Sequence, residues 1–506
     1  MPNQRIFQDF NIKLNDLYKA LSKKKYHFLD YQSLDIAERV VQKYCVFLWY
    51  FICSNCEIYP LLENKLTFKD ITWFCKKNEL KLNLKYKILQ LLKFNYHWLI
   101  YFKKILVSIF FNKNYQNETI LRGTASKYIY QNNDINIYLK WIQEGPVKPL
   151  NNLSRVIILD EISKTKILHY NGLEVVITND PIYEVLLGCK ISIIDFLRLI
   201  ASHILIYFIY LFKSFLFPEI LLLEHEISME IIIRFLSKKE AIKDIFYSQG
   251  DITEIPMSSV SFKKKTFNSH MLWYSTNSKL FSFKREDHGP IYDPTVFCLH
   301  VDNHWMWTEG EINWAKGTVN RKVNFIKCDP ILYAVTEIIC GNDVDFDYNI
   351  AVFDVVPILD NPCTVETLRY YRYEVLERFY FDILNTLKNI EATSNKKFNV
   401  FIKSKKKLKD HHDYAYMSLL TSLGKLGVNI QYVDTESNVV NLINRCNVII
   451  SIPFTSPGKI GSIRGKNSFY YDPTESVYPN IFDKDEVDLV KGRQNLQDKL
   501  EKLLKK

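Results

Sequence analysis

Apolar runs of strand length alternate with helix-length segments from residue 349 to residue 473. The strand-like runs lie at 349–353, 400–402, 428–433, 447–452 and 468–471. Helical patterns fill the intervals at 364–390, 411–425 and 437–445. Parallel strands need a crossover connection, which is usually a helix. This short and regular alternation therefore predicts a doubly wound α/β domain with a parallel sheet.

The last unit of this series carries the most informative motif of the chain. The β-branched run Asn447–Ile452 stops at Pro453, which cannot continue a central strand. The segment that follows, Phe454–Gly458, has two hydroxyl groups beside a proline and a glycine, and a short helix can begin there. Hydroxyl groups, open backbone amides and the positive end of a helix dipole together suit an anion, most often a phosphate. The alternative interpretation is an ordinary Thr/Ser helix cap.

Two segments of this region carry a resemblance to a known family. Ile452–Ser456 reads Ile-Pro-Phe-Thr-Ser, and Phe469–Pro473 reads Phe-Tyr-Tyr-Asp-Pro. Together they resemble the signature of bacterial polysaccharide-biosynthesis proteins named for their PFTS motif, and more distantly the glycosyltransferases of the two-Rossmann GT-B architecture. The resemblance covers mainly residues 345–480 and, more loosely, 245–345. It implies two Rossmann-like domains facing a cleft, and a role in assembling a capsule, an O-antigen or another surface glycan.

Strand-like runs that end in polar residues also occur in the first half of the chain. They lie at 156–160, 174–178, 219–225, 244–247, 270–274 and 295–301. Helix-forming segments separate them, which predicts a Rossmann-like domain here as well. We therefore expect an α/β chain with four parts: a helical N-terminal region, 1–118; an acceptor-side domain, 119–342; a donor-binding domain, 343–483; and a C-terminal helix, 484–506. The resemblance implies that this last helix crosses back to the first half.

The charge of the chain favours anionic ligands. Its 506 residues contain 66 Lys and Arg against 56 Asp and Glu, a net charge of +10. Nucleic acid is the weakest candidate partner, because no zinc finger, arginine-rich arm or RNP-like pattern accompanies this charge. The first residues lack a continuous apolar core, so we expect a cytoplasmic chain with reduced cysteines. Cys53 and Cys56 form a lone CxxC pair, which we interpret as two buried thiols rather than a zinc or redox site.

The strongest apolar stretch, residues 191–217, suits a membrane surface better than a membrane span. A spanning helix needs about 20 apolar residues, but Arg198, His203 and Lys213 interrupt this stretch. A helix at the membrane interface, or one buried between domains, fits better. Lysines beside aromatic residues near Trp98 suit either a membrane interface or a helical bundle. We expect peripheral association with the inner membrane.

Transfer from a nucleotide-activated sugar requires groups that stabilise the departing phosphate, and such groups dominate the rate. We assign this role to four residues of the loop, Pro453, Phe454, Thr455 and Ser456. Lys403 and Lys405 lie just past a predicted strand and would supply positive charge. A solvated run of lysines is the alternative interpretation. This chemistry requires no metal and no cofactor.

Three further residues are predicted to contact the donor. Adjacent strand residues face opposite sides of a sheet, so only one of Tyr470 and Tyr471 can face the donor. We expect Tyr471 to stack on the base or the ribose, and Asp472 to accept a hydrogen bond from a hydroxyl or amino group. Asp354 follows the first strand of this domain and either contacts the sugar or ends the strand as a turn residue.

The residue that removes the proton of the acceptor is expected in the first half, across the cleft. The candidates, which end consecutive predicted strands on the expected side, are Asp251, Glu224, Glu226 and His225. Each also has a structural interpretation as a helix cap or a core partner. The HxDxH pattern at 300–304 lacks a further ligand, and such a pattern is more often structural than a metal site.

Taken with these residues, the resemblance implies a glycosyltransferase that moves a sugar from a nucleotide-sugar donor to a growing polysaccharide or lipopolysaccharide, on a lipid carrier or a lipid A core. A CMP-activated acidic sugar, such as a nonulosonate or Kdo, suits a basic cleft because its carboxylate needs extra positive charge. UDP- and GDP-linked sugars are the alternatives. Two other functions fit the same scaffold: a nucleotide-sugar 2-epimerase, which needs no glycan acceptor, and a non-catalytic member of a glycan-assembly complex.

Overall fold

The computed structural model contains two large, mainly parallel β-sheets, one in each half of the chain. The residues that it describes are 18–19, 21–26, 35–43, 74–76, 79–81, 84–111, 118–122, 155–159, 165–170, 172–248, 255, 265–273, 281–282, 299–319, 321–328, 346–357, 372–404, 414–435, 437–453, 455–479 and 487–504. The predicted thiols Cys53 and Cys56 lie outside these residues.

The first half is organised around an eight-stranded sheet. The strands of this half are β1 (Phe74–Lys76), β2 (Glu79–Lys81), β3 (Glu118–Leu121), β4 (Arg155–Leu159), β5 (Lys166–Tyr170), β6 (Leu173–Thr178), β7 (Ile242–Ser248), β8 (Asn268–Leu272), β9 (Phe281–Ser282), β10 (Asn303–Met306) and β11 (Asn324–Lys327). The order in the sheet is β11-β10-β8-β7-β3-β4-β6-β5, and every neighbouring pair is parallel except β5 with β6. β1 and β2 form a separate antiparallel pair.

Helices of the first half pack on this sheet and on one another. They are α1 (Leu84–Ser108), α2 (Pro181–Gly188), α3 (Ile193–Leu216), α4 (Glu224–Lys238) and α5 (Glu309–Thr318), with a 3-10 helix at Pro218–Leu223. Residues 35–43 are also helical. Tyr101 and Ile105 of α1 join the core that also contains Ile157 and Val176 of the sheet. Helix α1, predicted as part of a separate N-terminal region, thus contributes to the core of the first half.

The second half is organised around a six-stranded parallel sheet. Its strands are β12 (Tyr348–Phe353), β13 (Phe398–Lys403), β14 (Asn429–Val433), β15 (Val448–Ser451), β16 (Asn467–Asp472) and β18 (Asp488–Lys491), with the short β17 (Tyr478–Pro479) between the last two. Its helices are α6 (Tyr373–Ser394), α7 (Ala415–Leu423), α8 (Val439–Arg445), α9 (Ser456–Ile463) and α10 (Gly492–Leu504), with a 3-10 helix at Gly424–Leu426. The order in the sheet is β14-β13-β12-β15-β16-β18.

Both sheets have the strand order of a Rossmann fold. Counted along the chain, the strands of the second sheet lie in the order 3-2-1-4-5-6, which follows from β14-β13-β12-β15-β16-β18. The parallel strands of the first sheet repeat this order, with β11 added at one edge and β5 at the other. The predicted α/β architecture of two Rossmann-like domains is confirmed.

Two predicted strands and one predicted helix contact are wrong. The run 219–225 forms a 3-10 helix and the start of α4, because its apolar residues are buried between helices, and an apolar run of this length does not by itself distinguish a strand from a buried helix. Residues 299–301 of the strand predicted at 295–301 are not in a strand, residues 295–298 lie outside the described part of the chain, and the next strand is Asn303–Met306. The C-terminal helix does not cross back. Leu496, Leu500 and Leu504 of α10 are buried in the core of the second half.

Helix α9 lies unusually close to the sheet. A Cβ atom on Gly458 would lie 2.8 Å from Cε1 of Tyr470, and one on Gly461 would lie 2.8 Å from Oγ of Ser468. The ring of Tyr470 is buried, and its hydroxyl donates to the carbonyl of Thr455 at 2.7 Å. Glycine at these positions lets α9, which begins in the loop Pro453–Ser456 (the Thr/Ser loop), pack directly on β16.

A buried ion pair joins residues 35–43 to helix α4. Nε of Arg39 lies 2.9 Å from Oε2 of Glu226, and Nζ of Lys43 lies 2.9 Å from Oε1. Burial alone would raise the pKa of the Glu226 carboxyl, but the two cations outweigh it, and the pKa lies below its ordinary value. The prediction of Glu226 as the catalytic base is therefore corrected: a carboxylate that two cations keep ionised is a weak proton acceptor, and here it stabilises the fold.

We predict that Gly458→Ala destabilises the protein by about 1–3 kcal/mol, because the new methyl group overpacks the contact with the fixed Tyr470 ring. The melting temperature of the purified variant, followed by circular dichroism, measures the effect. Gly424→Ala is the matched control, since a Cβ atom there meets nothing within 4 Å and its φ is negative. Equal melting temperatures for the two variants would contradict the close approach of α9.

We predict that Glu226→Gln destabilises the protein at neutral pH by about 3 kcal/mol, because it leaves the buried Arg39 without its anionic partner. The folded-state pKa of Glu226 is depressed, so its contribution is present above the unfolded-state pKa and is lost as the pH falls through the folded-state pKa. The difference in melting temperature should therefore shrink in acid. Glu309→Gln, at an exposed helix position, is the control. A difference that does not change with pH would refute this account.

Candidate functional site

The Thr/Ser loop lies at the point where the strand order of the second sheet reverses. Strands β12 and β15 are neighbours at this point, and the chain leaves them in opposite directions across the sheet. Asp354 follows β12, and the loop from Pro453 to Ser456 follows β15. In open parallel sheets, ligands bind in the crevice outside the carboxyl ends of the strands at such a reversal. Topology alone therefore places this loop where a ligand is expected.

The first sheet has the same kind of reversal, between β3 and β7. Arg122 follows β3, and its backbone N–H donates to the carbonyl of Phe246 at 2.8 Å. The guanidinium of Arg122 lies over the ring of Tyr247, 6.0 Å from its centroid. Asp251, one of the predicted bases, is three positions beyond Ser248 and lies outside the described residues. A cation therefore follows β3 at the reversal of the first sheet.

The carboxyl edges of the two sheets meet. Trp307 follows β10 of the first sheet, yet it is buried in one cluster with Phe353 of β12 and Ile460 of α9. Strand β9, from the first half, pairs with β17 of the second half in an antiparallel ladder. Both contacts come from segments that follow the carboxyl ends of parallel strands, which is the arrangement of two Rossmann-like domains facing one cleft.

Part of the predicted phosphate loop, Pro453–Ser456, forms hydrogen bonds with the protein itself. Thr455 is the N-cap residue of α9, but its side chain caps no helix N–H. Its hydroxyl donates to the carbonyl of Ile452 at 2.7 Å, and the side chain is buried. The hydroxyl of Thr455 thus holds the turn after β15, rather than donating to a ligand as predicted. Ser456 occupies the first helical position and is half-buried, Pro453 is buried, and Phe454 lies outside the described residues.

Lys403 lies at the predicted sheet edge, at the end of β13, but its ammonium is engaged. Nζ donates to the carbonyl of Thr435 at 2.6 Å and to that of Asp434 at 3.2 Å. The side chain is buried, and these bonds hold the segment that follows β14. The phosphate contact of Lys403 stays a prediction, and Lys405 lies outside the described residues.

The predicted roles of Tyr471 and Asp472 are wrong. Tyr471 is fully buried, its ring stacks on Phe379, and its hydroxyl donates to Oδ2 of Asp382 at 2.6 Å. Burial and the nearby Asp382 raise the pKa of this phenol, which therefore remains protonated. Asp472 is also fully buried, and its two oxygens accept hydrogen bonds from Thr474 and from the backbone N–H of Val477. Both side chains face the protein interior.

Asp354 is the centre of a buried network at the edge of the second sheet. Its Oδ2 accepts hydrogen bonds from the hydroxyls of Tyr380 on α6 and Tyr416 on α7, and Tyr416 also contacts Ser404. Burial and the Asp354 charge raise the pKa of both phenols well above the usual value, so both are donors at neutral pH. Neither predicted role of Asp354 describes this geometry. The side chain joins two helices to the end of β12, beside the crevice.

Glu224 lies near the carboxyl edge of the first sheet, although it begins a helix rather than ending a strand. Its Oε2 lies 2.7 Å from Nδ1 of His97. Tyr101 connects Glu224 to this edge. Its ring contacts that of His225, the neighbour of Glu224, and its centroid lies 4.8 Å from Nζ of Lys104, which pairs with Asp180 after β6. Glu224 is therefore near the edge where the base was expected. A carboxylate paired with an imidazole there is a candidate for proton transfer.

The residues of the HxDxH pattern have three different surroundings. His300 faces Glu38 at 3.3 Å, and Oδ2 of Asp302 accepts hydrogen bonds from Ser269. His304 accepts a hydrogen bond from Trp273, and burial lowers its pKa to about 3. Within the described part of the chain, no group of three or more His, Cys, Asp or Glu residues is placed to hold a metal ion. The structural interpretation of this pattern fits best.

Three residues that the sequence interpretation missed contribute to the cleft. Trp307 joins the two edges, Arg122 supplies a cation at the first reversal, and Gly458 allows α9 to approach β16. Arg122 had a signal, since it is a charged residue directly after the apolar pair Ile120 and Leu121. Trp307 had none, because a tryptophan after a strand is equally compatible with the core of its own domain.

The chain overlaps partly with several solved structures. It matches the trehalose-phosphate synthase (UDP-forming) of Burkholderia xenovorans at 8% identity and a TM-score of 0.38, over 77% of this chain and 92% of that one. It matches the wall teichoic acid polymerase TagF at 10% identity and 0.36, over 83% and 89%. It matches TarM at 12% identity and 0.32, and spans only 51% of that protein. No curated protein matches the chain.

One family model matches the chain, and it is described as polysaccharide biosynthesis PFTS motif protein. The match runs over residues 209–500, more than half of the 506 residues. It includes the whole second sheet with the loop Pro453–Ser456, and β7 to β11 of the first half. The chain therefore belongs to the family of PFTS-motif polysaccharide biosynthesis proteins.

Proposed function

We propose that the chain is a glycosyltransferase that transfers a sugar from a nucleotide-sugar donor to a growing surface polysaccharide or lipopolysaccharide. The observation that carries the proposal is the position of the Thr/Ser loop. It follows β15 at the strand reversal of a Rossmann sheet, begins helix α9, and lies where the first sheet meets the second. Family membership supplies the link to polysaccharide assembly. The acceptor is proposed to be a glycan on a lipid carrier or lipid A core, at the inner face of the inner membrane.

The donor phosphates are proposed to bind at the amino end of α9. The first turn of a helix presents backbone N–H groups and the positive end of its dipole, and the side chain of Thr455 caps none of these N–H groups. Ser456, at the first helical position, is the hydroxyl best placed to add a donor. Charge stabilisation by these groups requires no metal ion. Arg122, across the cleft, is a cation that suits a CMP-activated acidic sugar, whose carboxylate adds negative charge.

The proton of the acceptor is proposed to move to Asp251, with Glu224 as the alternative. In the sequence Asp251 is three positions after β7, the strand that ends at the reversal of the first sheet. Glu224 has the better-described geometry, since it pairs with His97 at 2.7 Å near the same edge. Glu226 is not proposed again, because Arg39 and Lys43 hold it.

We predict that Ser456→Ala weakens nucleotide binding about tenfold, which is the loss expected for one hydrogen bond to a charged group. A thermal-shift titration of CMP, UDP, GDP and their sugars measures this, because a ligand at 100 times its Kd stabilises the folded state by about 2.7 kcal/mol. Ser462→Ala, near the other end of the same helix, is the matched control. Equal binding by the two variants would rule out the amino end of α9 as the phosphate site.

We predict that Asp251→Asn lowers kcat about 100-fold or more, because the transfer loses its general base, while nucleotide affinity is unchanged. Release of free nucleotide in the presence of a glycan acceptor measures kcat. If Glu224→Gln has this effect and Asp251→Asn does not, the base is Glu224. Nucleotide-sugar conversion without any acceptor would identify an epimerase instead.

A further inference from the structure

Helices α1 and α3 form a large apolar face on the outside of the first half. They pack antiparallel, because Phe94 contacts Tyr210 while Trp98, farther along α1, contacts His203. Contacts of this kind bury one side of each helix. Large apolar side chains cover the other side. On α3 alone nine of them are exposed, including Phe212 at 62% and Phe215 at 78%.

The exposed side chains follow helical spacing. On α1, Leu84, Ile88, Leu92 and Tyr96 are exposed at intervals of four residues. A soluble monomer rarely exposes a contiguous apolar surface of this extent, so a partner is expected to cover it. Within the described residues, Ile193–Leu216 is long and apolar enough to cross a membrane by length and composition. Only 28% of its most apolar window is buried in the protein, so most of this window is exposed.

The charges on these helices identify the partner. Helix α1 has five lysines and no Asp or Glu, and among the described side chains Lys93 and Lys103 are exposed. Helix α3 has one acid, Asp195, which Lys239 neutralises at 2.6 Å, and two cations, Arg198 and Lys213. A second copy of this chain would place like charges opposite each other. An anionic lipid surface offers negative headgroups and an apolar interior together.

We propose that the outer face of α1 and α3 docks on a bilayer that contains anionic phospholipid. One side of α3 remains packed against the protein through His203, Ile206 and Tyr210, which are buried. The helix therefore lies in the interface and does not span the bilayer. Its apolar side enters the boundary between headgroups and acyl chains, and the lysines of α1 contact the headgroups. This inference rests on the proposed function, whose acceptor is carried by a membrane, and it names the surface that would make the peripheral contact expected from the sequence.

The docking face is close to the expected acceptor site. Lys104, in the last turns of α1, forms an ion pair with Asp180, which follows β6 at the carboxyl edge of the first sheet. The ring centroid of Tyr101 lies 4.8 Å from Nζ of Lys104, and this ring also contacts that of His225, next to Glu224. A lipid-linked acceptor held by the bilayer would thus reach the cleft from the side on which the protein docks.

Binding of the purified full-length protein to vesicles tests the proposal. We expect the wild type to float with vesicles of phosphatidylcholine and phosphatidylglycerol, and to float poorly with phosphatidylcholine alone. Phe212→Glu should lower the vesicle affinity at least about tenfold, because a buried aromatic side chain is lost. Lys93→Gln should lower it about fivefold, the effect of one lysine near an anionic surface. Neither position is buried, so both variants should keep the wild-type melting temperature.

The controls are matched substitutions on the second half. Met417→Glu removes an exposed apolar side chain and Lys425→Gln removes an exposed lysine, both away from the docking face. Equal losses for face and control variants, or no flotation of the wild type, would overturn the proposal. So would a wild-type dimer that Phe212→Glu converts to a monomer. Flotation needs no donor, and the nucleotide titration needs no vesicles, so failure of one proposal is distinguishable from failure of the other.

Discussion

The close packing of helix α9 on β16 is the constraint on which the site depends. The two sides of the contact are Gly458 and the ring of Tyr470, whose hydroxyl in turn holds the carbonyl of Thr455. The side chain that fills the space under the helix thus also fixes the loop at its start. Any shift of α9 would move its first-turn N–H groups relative to the strand reversal. The motif is therefore a packing unit as well as the proposed ligand site: Gly458 and Gly461 contact Tyr470 and Ser468 in the strand that follows.

Much of the fold could be predicted because each strand and each crossover helix of a parallel sheet has a recognisable local sequence pattern. The short strands β12 to β16 are bounded by turn residues and alternate with helices, and the structure places them close to the predicted limits. The failures occurred where local pattern is ambiguous. The apolar run 219–225 is buried between helices, so the spacing of its apolar residues could not distinguish a helix from a strand. Strand order, which locates the crevice, is a tertiary property that no local pattern contains.

The site was harder to predict than the fold, because polar residues at strand ends have two uses. Asp354, Lys403 and Asp472 were expected at the correct edge, and the structure places them there. Yet the charged group of each is in contact with the protein itself. Asp354 accepts hydrogen bonds from two tyrosines, Lys403 donates to two backbone carbonyls, and Asp472 accepts from the turn that follows it. Sequence position specifies which edge a residue reaches, whereas the direction of its side chain depends on neighbours distant in the chain. Tyr471 shows this most clearly, since its partner Asp382 is 89 residues away.

The buried turn at Asp472 has a mechanical consequence. Its carboxylate orders the segment that follows β16, and that segment ends in β17, which forms the ladder with β9 of the other half. The two halves are therefore joined through residues 472–479, which begin at the last residue of β16 and end in β17. Opening of the cleft would have to bend this segment or break the pairing of β17 with β9. A change in the spacing of the two halves would therefore act on β16, the strand that also supports α9, the helix at whose amino end the donor is proposed to bind.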